Sequence, residues 1–135
     1  MSEENVDVVR REYVALAARD WAAIAKLWHP DIELEADPSA PGAGTYRGHE
    51  EITQFFDTWA EPYLTYRVEA EEIIDAGNQV VVIERYAGKG LKGSDSEAWI
   101  EGRLFCVIDF KDGKIWRVKE YPTRSEALEA AGLSE

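Results

Sequence analysis

Residues 97–121 read EAWIEGRLFCVIDFKDGKIWRVKEY, and this stretch decides the fold class. Apolar and polar side chains alternate on both sides of Lys111-Asp-Gly113, and a period of two is the pattern of a strand with one buried face. Asp-Gly between two such runs strongly favours a tight hairpin turn. The stretch therefore predicts two antiparallel strands, roughly Glu97–Asp109 and Lys114–Tyr121.

Two further strands precede this hairpin and have the same period of two. They are predicted over Leu64–Asp75 and Gln79–Ala87, with a turn at Asp75-Ala-Gly-Asn78 between them. A loop over Gly88–Ser96 leads from this pair to the strand that begins at Glu97. Four sequential strands with short connections make an antiparallel meander.

The chain before the first long strand has helical periodicity, with apolar residues at spacings of three and four. Asp20 is placed to cap the second of three helices, and Pro30 and Pro62 mark the ends of the second and third. A short strand over Ile32–Ala36 and a loop over Asp37–Gly44 separate these last two helices. The apolar stripes are Val6, Val9, Tyr13, Leu16 and Ala17; then Trp21, Ile24, Leu27 and Trp28; then Ile52, Phe55, Phe56 and Trp59.

A capping box at Thr123-Arg-Ser-Glu126 predicts a last helix that ends near Gly132. Helices gathered on one side of an antiparallel sheet make an α+β fold. The chain has 135 residues, enough for one ordinary domain, and shows neither an internal repeat nor a long linker. We therefore expect a single domain over residues 1–135.

The composition excludes several classes of partner. There are 27 acidic and 15 basic residues, a formal net charge of -12, so nucleic acid and anionic membrane surfaces are poor partners. Apolar runs such as Leu104–Ile108 are far too short to span a bilayer. The single cysteine, Cys106, allows no internal disulfide and fits a reducing compartment, so we expect a cytoplasmic protein.

The strand alternation predicts which side chains face the helices. In the third long strand the purely apolar parity runs from Ala98 to Ile108, whereas the other parity mixes aromatic residues with charges. That mixed face suits either a subunit interface or an ordinary amphipathic surface. In the last strand Glu120 shares a face with Trp116 and Val118, so we expect its carboxyl group to be buried, with a raised pKa, as a general acid or base requires.

Five short motifs in this order and spacing resemble the SnoaL-like branch of the nuclear-transport-factor-2-like superfamily. The resemblance implies a cone-shaped, curved sheet wrapped around the N-terminal helices, an internal hydrophobic pocket and, often, a homodimer formed through the sheet. Members have many activities, so the fold implies no single one. The motifs are Asp20-Trp-Ala-Ala-Ile24, Leu27-Trp-His-Pro-Asp-Ile32, Tyr46-Arg-Gly-His-Glu-Glu-Ile52, Asp112-Gly-Lys-Ile115 and Glu126-Ala-Leu-Glu-Ala-Ala-Gly-Leu133.

The likeness to individual enzymes differs from one position to the next. Asp37-Pro38 looks like the base of ketosteroid isomerase, but the oxyanion Asp of that enzyme corresponds here to Cys106, a weak donor. Lys119-Glu120-Tyr121 resembles the segment of limonene-epoxide hydrolase that carries its water-activating Asp, whereas Arg85-Tyr86-Ala87 lacks a second acid of that enzyme. Polyketide cyclases use an acidic residue near the end of the fold, and Glu120 is the matching residue.

Glu120 and Asp37 are thus the candidate catalytic residues. The alternative for Glu120 is a strand carboxylate paired with Arg85 or Arg103. The alternative for Asp37 is a turn former before Pro38. Arg85 either anchors a substrate carboxylate or enolate or pairs with a strand glutamate. The candidate substrate-binding residues are Tyr13, Trp28, Phe56, Trp59, Arg85, Cys106, Trp116 and Val118.

The sequence therefore predicts a SnoaL-like domain that binds a hydrophobic small molecule. One hypothesis is a cofactor-free enzyme of the isomerase, cyclase or hydrolase type that uses a pocket carboxylate. The alternative is a non-catalytic ligand-binding or protein-interaction domain. No cofactor is expected. No metal is expected either, because His29 and His49 have no third histidine or spaced acidic cluster beside them.

Overall fold

A computed structural model of the protein describes residues 2–95 and 97–134. Four helices and six strands are formed by these residues, and no helix among them is long and apolar enough to cross a membrane. The elements are α1 Ser2–Ala18, α2 Trp21–Leu27, β1 Trp28–Glu35, β2 Thr45–Arg47, α3 Gly48–Ala60, β3 Tyr63–Asp75, β4 Gln79–Leu91, β5 Trp99–Lys111, β6 Lys114–Tyr121 and α4 Arg124–Ala130.

The six strands form one sheet in the order β2-β1-β6-β5-β4-β3. The long strands β3 to β6 make the predicted antiparallel meander, and the predicted α+β class is confirmed. The sheet is mixed rather than wholly antiparallel, because β1 lies parallel to β6. This pairing brings β1 next to the last strand of the meander, so the loop after β1 lies beside the end of β6.

The two faces of the sheet bury alternate residues of β4. Val80 and Val82 pack into the core that α1, α2 and α3 cover, whereas Val81 and Ile83 pack against α4 on the opposite face. The predicted inward parity of β5 is also observed, because Cys106 lies 3% exposed in the first core. A residue that follows the parity of Val80 and Val82 therefore points into the interior beneath the N-terminal helices.

Several predicted boundaries differ from the observed ones. Pro30 does not stop α2, since the helix ends at Leu27 and Pro30 lies within β1. The three-residue strand β2 was not predicted, because it is too short to have a recognisable period. The predicted loop from Gly88 is partly strand, since β4 continues to Leu91 in pairing with β3 and β5. Ser96, the predicted end of that loop, lies outside the described residues.

Candidate functional site

A hollow of about 60 Å³ lies between α3, the loop after β1 and the inner face of the sheet. About 10–15 Å³ of such volume holds one water, so the space takes about four to six waters or a comparable number of ligand atoms. Most of its wall is apolar or aromatic, which is typical of sites for small molecules. The lining residues are Ala36, Ala40, Pro41, Phe55, Phe56, Trp59, Tyr66, Val68, Glu84, Tyr86, Leu104 and Glu120.

Glu120 on β6 is one of two carboxyl groups on this lining, and its residue is only 6% exposed. Its Oε1 accepts a hydrogen bond of 3.0 Å from the backbone N–H of Asp37 in the loop after β1. Burial raises the pKa of Glu120 to about 7, although the Asp37 hydrogen bond acts in the opposite direction. Both protonation states of Glu120 are therefore populated near neutral pH.

Glu84 on β4 is the second carboxyl group on the lining and is also 6% exposed. The hydroxyl of Tyr13 on α1 donates a hydrogen bond of 2.7 Å to its Oε1. The pKa of Glu84 is raised to about 8, mainly by burial and also by the neighbouring charges of Glu120 and Glu12, although the Tyr13 hydrogen bond acts in the opposite direction. Because Glu84 pairs with Leu104 and Glu120 with Cys106, the two carboxyl groups stand on either side of β5.

A third carboxyl group, that of Glu12 on α1, lies deeper in the same interior. Its Oε2 accepts a hydrogen bond of 2.6 Å from the indole N–H of Trp28. Burial raises the pKa of Glu12 to about 7. A smaller hollow of about 30 Å³ is lined by Glu12 and also by Glu84 and Glu120, so all three carboxyl groups border one connected region.

An open groove of about 580 Å³ lies outside the hollow. The two spaces share Pro41, Phe55 and Trp59, which form the rim between them. Tyr46 and Tyr63 extend the aromatic wall of this outer groove. A molecule larger than the hollow could therefore place a small head inside and its body along α3.

These features agree with the comparison of the sequence with known families. The profile of the SnoaL-like domain matches residues 9–118. The chain belongs to the SnoaL-like domain family. The family resemblance predicted from the five motifs is thus confirmed.

The relatives of this SnoaL-like domain include uncharacterized proteins of Mycobacterium tuberculosis (strain ATCC 25618 / H37Rv) and Mycobacterium bovis (strain ATCC BAA-935 / AF2122/97). Each is 25% identical over 130 residues, which cover 95% of this chain and 95% of the relative. They align with this chain over nearly its whole length, and both are described as uncharacterized.

Solved structures with the same fold include an NTF2-like protein of Burkholderia thailandensis, 26% identical with a TM-score of 0.75 over 95% of this chain and 96% of that one. Bal32a, from a soil-derived mobile gene cassette, has a TM-score of 0.76 at 21% identity over 88% of each chain. TerC, co-crystallized with polyporic acid, has a TM-score of 0.70 at 23% identity over 87% of this chain and 89% of TerC. The last two likenesses concern the fold alone.

The structure brings most of the predicted site residues of this SnoaL-like domain to the interior. Glu120, Phe56 and Trp59 line the larger hollow, and the smaller one is lined by the other four: Tyr13, Trp28, Cys106 and Val118. Burial raises the pKa of the Cys106 thiol well above its usual value, so this thiol is an inert part of the wall.

Asp37 lies beside Glu120 but has its own partners. It is 7% exposed, and its Oδ1 accepts hydrogen bonds from the backbone N–H and the hydroxyl of Ser39, at 2.8 and 2.7 Å. These bonds are those of a turn former before Pro38. Asp37 reaches the site through its backbone N–H, which holds Glu120.

Two predicted substrate-binding residues lie away from both hollows. Arg85 is on the opposite face of the sheet, where its guanidinium pairs with Glu101 at 2.8 Å and Glu69 at 3.1 Å. Trp116 is half-buried, with the Arg117 guanidinium 4.1 Å from its ring centre. The alternative reading of Arg85, a pair with strand glutamates, is the arrangement found.

Sequence reasoning missed Glu84, Tyr66 and Tyr86 as lining residues. Glu84 and Arg85 are adjacent on a strand, so only one of them can face the interior. The sequence did contain a useful pattern, since Glu84 continues the parity of Val80 and Val82. That parity could not be distinguished from the other, because Val81 and Ile83 are apolar as well.

Proposed function

We propose that this SnoaL-like domain binds a small molecule in the hollow and exchanges a proton with it through Glu120. The observation that carries the proposal is the position of Glu120, a buried carboxyl group on an apolar cavity wall, with room for a ligand beside it. A pKa of about 7 allows the group both to take up and to release a proton at neutral pH.

The step fits a carbonyl compound with an acidic C–H bond. The Glu120 carboxylate takes the proton from the carbon next to the carbonyl, and the bonding electrons move to the carbonyl oxygen as an enolate. The protonated Glu120 then returns the proton, and no cofactor takes part. Tyr66 and Tyr86 lie on the same lining, and burial raises the pKa of Tyr66, so its hydroxyl stays neutral and able to donate.

The test is exchange of solvent deuterium into small ketones, followed by NMR at pH 7. Butanone and cyclopentanone have five and six non-hydrogen atoms and match the hollow. The wild-type protein is expected to exchange the protons beside the carbonyl faster than buffer alone. Glu120→Asp should exchange them more slowly than the wild type, and Glu120→Gln no faster than buffer. Glu35→Gln, an exposed carboxylate on β1, is the matched control and should exchange like the wild type.

The same experiment separates this proposal from a non-catalytic binding domain. Chemical-shift changes on addition of the ketone without any deuterium exchange would mean that the pocket binds but does not catalyse. Equal exchange by the wild type and Glu120→Gln would remove Glu120 from the reaction.

We also propose a cytoplasmic homodimer formed through the outer face of the sheet. Trp99 is 56% exposed at the start of β5, while Phe105 and Val107, further along the same face, pack against α4. The uncovered part of this face is therefore the end that contains Trp99. Light scattering of the wild type and of Trp99→Glu tests this, since the variant should be monomeric if the face is the interface.

A further inference from the structure

The charged groups on the wall of the larger hollow all have one sign. Two of its side chains, Glu84 and Glu120, carry carboxyl groups. None of the lining side chains in the described part of the chain is Lys, Arg or His. The described residues therefore place no cation beside these acids on the cavity wall, and a ligand is free to supply one.

Each of the two carboxyl groups is held by only one of its oxygens. Oε1 of Glu84 accepts from Tyr13, and Oε1 of Glu120 accepts from Asp37. Within residues 2–95 and 97–134, no hydrogen bond joins the protein to Oε2 of either group. In the ionised form both oxygens of a carboxylate are acceptors, so the two Oε2 atoms are places for donor groups of a ligand.

The remaining wall contains five aromatic rings. The face of an aromatic ring attracts a cation, and the attraction grows where water is excluded. Carboxylates together with several ring faces provide the chemistry that recognises an ammonium group. The rings are those of Phe55, Phe56, Trp59, Tyr66 and Tyr86.

We propose that the ligand of this hollow carries a small amino group, bound as an ammonium ion with Glu84 and Glu120 as counter-ions inside the aromatic wall. The proposal rests on the proposed function in so far as it uses the same pocket. The size of the hollow limits the part inside to about four to six non-hydrogen atoms. The net charge of -12 attracts cations at long range and disfavours phosphorylated or carboxylated molecules.

The experiment compares three molecules with the same isopropyl body: isopropylammonium, 2-propanol and isobutyrate, which have four, four and six non-hydrogen atoms and so stay within the size of the hollow. Binding is measured by calorimetry and thermal shift at pH 8 and constant ionic strength. The ammonium ion is expected to bind at least about tenfold more tightly than the alcohol, because a charge-assisted hydrogen bond and ring contacts are added. Isobutyrate is expected not to bind, because its charge has the same sign as the two carboxylates.

Variants assign the preference to the site. Glu84→Gln combined with Glu120→Gln should lower the affinity for the ammonium ion to that for the alcohol, and leave binding of the alcohol in place. Trp59→Leu should weaken the ammonium ion more than the alcohol. Glu69→Gln, which changes an exposed carboxylate on the opposite face, is the control and should bind like the wild type.

The wild-type series alone decides the matter even if a variant fails to fold. Equal affinities for the ammonium ion and the alcohol, or preferred binding of isobutyrate, would overturn the amine proposal and leave a small-molecule pocket. If none of the three molecules binds, the amine proposal is overturned, and deuterium exchange into the ketones decides separately on the proposed function.

Discussion

At the scale of single residues, the bond from the Tyr13 hydroxyl to Glu84 is the one whose loss is best defined. Both residues are buried, and Tyr13→Phe removes the only hydrogen bond that the Glu84 side chain receives within the described residues. We expect the variant to lose about 1–3 kcal/mol of unfolding free energy, because a buried acceptor is left without its donor. Urea unfolding at pH 6 measures this loss.

The control for that prediction is Tyr46→Phe. The Tyr46 hydroxyl donates to the carbonyl oxygen of Gly42 in an exposed position, where water can replace it. This variant should lose clearly less than Tyr13→Phe. Equal losses would mean that the burial of the Tyr13–Glu84 bond contributes nothing to stability.

The same part of the molecule shows how far single residues could be predicted from the sequence. Glu120 was placed correctly because its neighbours on β6 alternate, with Lys119 and Tyr121 on the other face. Glu84 follows a run of four apolar residues that are buried on both faces of the sheet, so the alternation that reveals Glu120 is missing there. Without that alternation, the sequence predicted Arg85, and not Glu84, as a substrate-binding residue.

At the scale of elements, the final helix depends on its N-cap. The Thr123 hydroxyl accepts a hydrogen bond of 3.2 Å from the backbone N–H of Glu126, as the capping box predicted. Thr123→Ala should lower the unfolding free energy by about 0.5–2 kcal/mol, because α4 covers Val81 and Val107. Thr58→Ala on the exposed face of α3 should change it by less than about 0.5 kcal/mol. Chemical unfolding of both variants measures the two losses. A larger loss for Thr123→Ala shows that the N-cap hydrogen bond matters, and not merely the removal of a threonine side chain.

The contact between neighbouring strands β4 and β5 connects the sheet to the pocket wall. Gly102 lies directly under the hydroxyl of Tyr86, and a Cβ atom there would overlap the end of the tyrosine ring. Gly102→Ala should therefore cost about 1–3 kcal/mol and push the Tyr86 ring out of its place on the lining.

Adding Tyr86→Leu should restore part of the stability that Gly102→Ala removes, since the overlapping ring end is gone. Thermal unfolding measures the two single variants and the double variant, and NMR shifts of the tyrosine ring report its movement. Additive losses would contradict a direct contact between the two positions.

Elements were predicted better than their irregularities. The four long strands have clear periods, but the pairing of β5 with β6 shifts register between Asp109 and Phe110. Because of this shift Ile115 is fully buried among core residues, while Trp116 lies half-buried next to Arg117. A bulge reverses the faces on one side of it, so strict alternation assigned Trp116 to the wrong face.

At the scale of the whole molecule, three buried carboxyl groups determine how stability depends on pH. The pKa values of Glu12 and Glu120 are raised to about 7 and that of Glu84 to about 8, in each case mainly by burial. In the unfolded chain these groups have the usual glutamate pKa, near 4.5. Between these limits the folded protein therefore holds more protons than the unfolded chain.

It follows that the folded state loses stability as the pH rises from about 5 to about 8, with a slope of up to about 1.4 kcal/mol per pH unit for each group. Below pH 4.5 this contribution is complete and constant, and the exposed Glu71 and Glu72, whose pKa values are lowered by Arg103 and Arg124, then act in the opposite direction.

Urea unfolding at half-unit steps of pH, at constant ionic strength, should show a maximum of the unfolding free energy near pH 5. Glu84→Gln should flatten the curve up to pH 8, whereas Glu69→Gln should leave it unchanged. A wild-type stability curve that rises from pH 5 to 8 would show that these carboxyl groups ionise freely in the folded protein. It would then contradict the raised pKa of Glu120, on which the proposed proton exchange depends.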